Sequence, residues 1–291
     1  MKRILAFIIS AILCVGVLTA CSSNKKAEKK ASEDTTKSEV IVFAAASMTE
    51  TLTELGDAYM KEHPDVKLTF NFDSSGTLKA QITEDADCDL FISAAQKQMN
   101  ELDKTADKEK NPDGLDFIDP DSRIDLLENK VALCVPEGAS KGIDSYDALA
   151  KQLKNGEVLL AMGNADVPVG QYTQKIFSYY KLNEEDLAKA GKLTYGSNVK
   201  EVASQVAEGS VDCGIIYQTD AYSANLKIVD TATEEMCGQV IYPAAVMKNS
   251  KNADAAAEFL KFLQTDQAAE VFTKVGFTIP RDVEAPSPTI S

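Results

Sequence analysis

The stretch from Val40 to Phe72, VIVFAAASMTETLTELGDAYMKEHPDVKLTFNF, carries the architecture in miniature. Val40 to Ala44 is an apolar run of strand length, after which Leu52, Leu55 and Tyr59 recur on one face at helical spacing. Val66, Leu68, Phe70 and Phe72 then alternate with Lys67, Thr69 and Asn71, the period-two pattern of a half-buried strand. Strand, helix and strand in succession make a βα crossover unit, and such units build parallel sheets with helices on their faces. The same alternation predicts further strands at 89–93, 131–135, 158–162, 214–217, 226–229 and 240–247. Val199, Val202, Ala203 and Val206 repeat the helical template, and S-M-T-E at 47–50 and N-V-K-E at 198–201 set a capping side chain three residues before a glutamate. Helices are expected at 173–180, 253–263 and 267–274, with Asp266 as a cap between the last two and Gly276 as a stop. The polar span 97–121 reads as a helix and a long loop at a change of domain.

The N-terminus sets an expectation about compartment. Lys2 and Arg3 precede an apolar run from Ile4 to Leu18, and Leu18-Thr19-Ala20-Cys21 follows at once. The run is about 15 residues, short of the roughly 20 that span a bilayer, so residues 1–20 read as a signal peptide. Leu-Thr-Ala-Cys resembles the lipobox at which bacterial lipoproteins are cleaved. The resemblance implies lipidation of Cys21 and a protein tethered to the extracytoplasmic face of the cell membrane. Residues 21–38, rich in lysine and without a large apolar side chain, read as a disordered tether, and the tail after Arg281 as disordered too.

Charge and rare residues narrow the chemistry. The formal net charge of −15 excludes nucleic acid as a natural partner and repels anions at long range, so an anion site must act through donors at contact distance. The single histidine, His63, lies in a K-E-H-P turn, which leaves a serine or cysteine nucleophile without an evident base. One histidine and no closely spaced cysteines make a poor zinc site, and the acidic pairs Asp85/Asp87 and Asp119/Asp121 lack the spacing of a calcium loop. Of the six cysteines, Cys88, Cys134 and Cys213 sit in apolar runs as small buried hydrophobes, with a disulfide among Cys88, Cys134, Cys213 and Cys237 left open. Beyond the leader only Arg123 and Arg281 offer a guanidinium fork, so a bound anion must rely on neutral donors.

Such donors gather at turns between strands and helices. Ser47 stands between a strand and a helix, as does the Ser74-Ser75-Gly76-Thr77 turn. Val167-Pro168-Val169-Gly170 and Asn198-Val199 also open helices, and Tyr217 closes a strand. The first amides of a helix lack intrahelical partners and carry the positive end of its dipole, so several converging starts hold an anion without a full charge. Open α/β sheets place ligands at such carboxyl ends of strands.

At these residues the chain resembles the molybdate-binding proteins of molybdate ABC transporters, from about Glu39 to Pro280. The markers are VFAAAS at 42–47, FDSSGTL at 72–78, DLFISAAQ at 89–96, VPVGQY at 167–172, GIIYQTDA at 214–221 and YPAAV at 242–246. The resemblance implies an α/β fold of the two-lobed periplasmic-binding-protein-like (type II) kind. Each lobe would be a mixed, mostly parallel sheet flanked by helices, and two strands would form the hinge. Its implied division is 39–125 and 223–285 for lobe 1, 126–222 for lobe 2, and 286–291 for the tail. By motif the oxyanion contacts fall on the hydroxyls of Ser47, Ser75 and Tyr217 and the backbone at Val169 and Val199. Val169 stands where alanine is usual, and Asp73 where small residues are common.

The resulting expectation is a solute-binding lipoprotein, not an enzyme, that needs no cofactor. It would act as a monomer, close its lobes on molybdate or tungstate and hand the ion to a transporter permease. Molybdenum would enter only as this oxyanion cargo. Sulfate or phosphate binding and an exported serine hydrolase using Ser47 or Ser75 are the rival readings.

Overall fold

In a computed structural model, which describes residues 38–138 and 141–280, the opening stretch forms β1 (Ser38–Ala45), α1 (Thr49–Glu62) and β2 (Val66–Asp73) as expected. The expected signal peptide, Cys21 anchor, tether and tail lie outside the described residues. The chain continues through α2 (Ser75–Thr83), β3 (Leu90–Ile92), α3 (Gln96–Asn100) and, after the polar span, β4 (Ile124–Asn129). It then builds β5 (Val131–Val135), α4 (Tyr146–Asn155), β6 (Leu160–Gly163), α5 (Pro168–Tyr179), α6 (Glu184–Lys189) and β7 (Leu193–Gly196). α7 (Val199–Ala207), β8 (Cys213–Tyr217), α8 (Gln218–Ser223), β9 (Lys227–Thr231) and α9 (Glu234–Cys237) follow. β10 (Val240–Val246), α10 (Ala253–Phe262) and α11 (Asp266–Val275) complete the described elements.

These strands form two mixed five-stranded sheets, ordered β2-β1-β3-β10-β4 and β7-β6-β8-β5-β9. The crossover units run parallel, β1 with β2 and β3, and β6 with β7 and β8. β10 inserts antiparallel between β3 and β4, pairing Ala244 with Ile92 and Tyr242 with Leu127. The chain therefore passes to the second sheet at Lys130 and returns after Thr231. By sheet membership β4 as a whole belongs to the first sheet and β9 to the second.

β1 shows why its sequence is apolar almost throughout. Val40, Val42 and Ala44 pack into the main core with Leu52, Leu55 and Phe259, while Phe43 on the other face joins Leu78, Ile82 and Phe91. A strand covered on both faces has no solvent side to leave polar. β4 and β7, by contrast, were not expected as strands. Leu126 and Leu127 of β4 are both buried, breaking the period-two signal, and β7 is a four-residue edge with Tyr195 exposed. Thr265 rather than Asp266 caps α11, accepting the Ala268 N–H, and Gly276 ends it in the left-handed conformation at φ 109°. Cys88, Cys134, Cys213 and Cys237 are all free thiols; burial pushes those of Cys88 and Cys134 up to about 12, as fits inert hydrophobes.

Candidate functional site

Ser47 sits in a single 3-10 turn (Ala46–Met48) that separates β1 from α1. The cap expected there does not form, because α1 starts one residue later, at Thr49, with Met48 at the cap position. The Ser47 hydroxyl instead lies 2.9 Å from the Tyr242 hydroxyl on β10. In the next turn Ser74 is the cap of α2, accepting the Thr77 N–H. Ser75 is thereby the first residue of the helix, fully buried, and its Oγ accepts the Ala94 N–H at 2.9 Å.

The second sheet contributes two more helix starts. α5 begins at Pro168, earlier than the expected 173, because proline's fixed φ suits a first helical position where no N–H is needed. Val169 is its second residue, and Val199 is the first of α7 behind the Asn198 cap, which accepts the Glu201 N–H. Amides at these positions have no acceptor within their helices. Tyr217 ends β8 opposite Val131, next to the crossing at Lys130. Its hydroxyl donates to the Ala94 carbonyl at 3.5 Å, a long contact, and burial holds its pKa well above the ordinary tyrosine value, so it stays a donor.

Ser47, Ser75, Val199 and Tyr217 line one small cavity together with Asp73, Ala94 and Pro168. Val169 is not on that lining; it lies one residue beyond Pro168 and is wholly buried. The cavity measures about 10 Å³, so an occupant must be compact. Ser47 and Ser75 come from the first sheet, and Val199 and Tyr217 from the second, so the cavity lies between them. The two sides also touch directly: a Cβ on Gly76 would overlap the carbonyl oxygen of Asp166.

Full positive charges stand elsewhere. Arg123 is held at 2.6 Å by each of Asp103, Gln96 and Asn100. Asp73 is the one carboxylate on the lining and accepts the Ser74 N–H at 2.7 Å. His63 stacks on Tyr59 at 4.2 Å between ring centroids and is exposed, while Ser47 and Ser75 pair with Tyr242 and Ala94. Neither serine has the histidine partner that a hydrolase would require. Among the described residues no cluster of three metal-ligating side chains occurs.

Sequence reading missed four residues around this site. Tyr242 and Asn129 bond behind Ser47, and Lys200 bridges Glu50 at 2.7 Å and Asp220 at 3.3 Å. A tyrosine inside the apolar strand at 240–247 was the available signal for Tyr242; Asn129, at the end of a strand the sequence did not announce, and the Lys200 bridge left none. Asp220 is buried, and desolvation pushes it up to about 6 despite the opposing pull of Lys200. Raised from about 4 when unfolded, it weakens the fold as pH rises from 4 to 6, by about 3 kcal/mol once fully ionised. The melting-temperature advantage of Asp220→Asn over the parent should therefore grow across pH 4 to 6 and then level off. A pH-independent gap would contradict this assignment.

Residues 40–278 match the family described as bacterial extracellular solute-binding protein. The Bacillus subtilis protein YvgL, named as an ABC transporter substrate-binding lipoprotein, is 34% identical over 272 residues, covering 93% of this chain and 96% of that one. The molybdate-binding protein ModA of Haemophilus influenzae is 33% identical over 243 residues, 82% of this chain and 89% of its own length. In fold, the structure of the Azotobacter vinelandii periplasmic molybdate-binding protein superposes with a TM-score of 0.69 at 22% identity, over 83% of this chain and all of that one.

Proposed function

This chain belongs to the bacterial extracellular solute-binding protein family, and from that premise we propose that it captures molybdate or tungstate and delivers it to the permease of an ABC transporter. The observation that carries the ligand class is the shared cavity of Ser47, Ser75, Val199 and Tyr217, supplied with neutral donors and without a lysine or arginine on its lining. The hydroxyls of Ser47, Ser75 and Tyr217 and the amides of Val169 and Val199 would surround a tetrahedral dianion. Desolvating such an ion is costly unless its oxygens are hydrogen-bonded, so a site with half of these donors binds weakly. Ligand would thus favour the closed arrangement by its differential affinity. The reading is one of binding and release rather than catalysis, with the protein held at the extracytoplasmic membrane face through Cys21.

A second reading, phosphate, has one observation in its favour. Asp73 lines the cavity, and its carboxylate could accept a hydrogen bond from a protonated oxyanion. Melting of the mature domain with molybdate, tungstate, sulfate or phosphate separates the two. At 100 times its dissociation constant the true ligand should add about 2.7 kcal/mol of stability. Strong stabilisation by phosphate or sulfate alone would refute the molybdate assignment.

A further inference from the structure

We propose that Tyr242 and Asn129, which stand behind the cavity rather than on its lining, fix the direction in which Ser47 offers its hydrogen and thereby tune the site to fully deprotonated oxyanions. The inference rests on the oxyanion reading above. It follows from hydrogen-bond polarity traced outward from a group that cannot change its role. The Lys130 backbone N–H can only donate, and it donates to Asn129 Oδ1 at 2.8 Å. That fixes the amide of Asn129, whose Nδ2 then faces Thr219 Oγ1 at 3.0 Å and the Tyr242 hydroxyl at 3.2 Å.

The Tyr242 oxygen is therefore an acceptor toward Asn129. Its own hydrogen has the Ser47 hydroxyl, 2.9 Å away, within reach, and in the proposed relay it is given to Ser47 Oγ. Ser47, having accepted that bond, turns its hydrogen to the cavity it lines. Asn129, Thr219, Tyr242 and Ser47 are all buried, so water does not compete for these bonds. Burial also holds the Tyr242 hydroxyl well above its ordinary pKa, which keeps the hydrogen in place. Ser75 reaches the same polarity by a shorter route, because the Ala94 N–H that it accepts is likewise a donor only. Both serines are thus set as donors before a ligand arrives.

This polarity discriminates by protonation state. A fully deprotonated dianion accepts from every donor, whereas monohydrogen phosphate brings a hydrogen that meets donors. Asp73 is the one carboxylate on the lining, with Oδ1 already receiving the Ser74 N–H, so the preference argued here is set by the two serines. The origin of the relay also matters: Asn129 ends β4 beside the crossing between sheets, and Thr219 lies on α8. The direction of the Ser47 hydroxyl is thereby tied to the seam itself.

The test compares the parent with Tyr242→Phe and Asn129→Asp, reading molybdate affinity by titration, phosphate by competition, and ligand-free melting as a control on folding. Tyr242→Phe keeps the ring and frees Ser47 to accept, so molybdate should bind about tenfold more weakly while the molybdate-to-phosphate ratio falls. Asn129→Asp puts an acceptor where the donor was and draws the Tyr242 hydrogen away from Ser47. It should weaken molybdate at least as much as Tyr242→Phe, and it decides the matter if the phenylalanine variant does not fold. A parent that binds no oxyanion overturns the functional reading itself. A parent that binds, with the tested variant losing both ions equally or keeping both within about twofold, overturns this inference alone.

Discussion

Replacing Ser75 by alanine should weaken molybdate binding by about two orders of magnitude. The hydroxyl is fully buried at the first position of α2, and it both accepts the Ala94 N–H and, in the proposed complex, donates to an oxyanion oxygen. Alanine removes a hydrogen bond to a charged acceptor, worth about 1.5–3 kcal/mol. It also leaves the Ala94 N–H without its partner in a buried site, a penalty of about 1–3 kcal/mol that the ligand-free protein shares. The affinity loss should therefore approach 3 kcal/mol, accompanied by a moderate fall in ligand-free stability. Isothermal titration measures the first and thermal melting the second. A variant that binds within about threefold of the parent would remove Ser75 from the contact set.

The second large effect is expected from Gly76→Ala, one residue along the same helix. A Cβ there would collide with the Asp166 carbonyl, which belongs to the β6–α5 loop of the other sheet. Backbone on the opposing side cannot swing aside as a flexible side chain would, so the contact must open at a cost of about 1–3 kcal/mol. Within an isolated α2 alanine is the better residue, by about 0.5–1 kcal/mol. The two effects act on different states. Melting without ligand should be unchanged or slightly raised, while molybdate affinity should fall about 10- to 100-fold. Scattering should show that added ligand no longer contracts the particle as far as it does the parent. Full contraction with parental affinity would show that the Gly76–Asp166 contact is not part of closure. Lys200, bridging Glu50 of α1 to α7, would then remain as a polar contact across that seam.

The two variants probe what the sequence made legible to different degrees. Ser75 could be singled out from S-S-G-T following a strand, because helix starts are encoded within a few residues by capping chemistry. Even there the assignment of roles needed the fold: Ser74 is the cap, and Ser47, expected as one, is not. Gly76 carried no such signal. Its requirement for a missing side chain comes from a backbone oxygen about 90 residues away, which no local window contains.

Periodicity and turn chemistry in the sequence by itself determined that βα units would build parallel strand pairs flanked by helices, and that neutral donors would collect at strand ends. Each of these depends on neighbours within one turn of helix or one strand. Only the tertiary structure decided that β10 threads between β3 and β4, that Tyr242 meets Ser47 across 195 positions, and that Lys200 spans from Glu50 to Asp220. Those pairings arise when distant segments are packed against one another, and hydrogen-bond direction is then settled by which buried group has no choice but to donate.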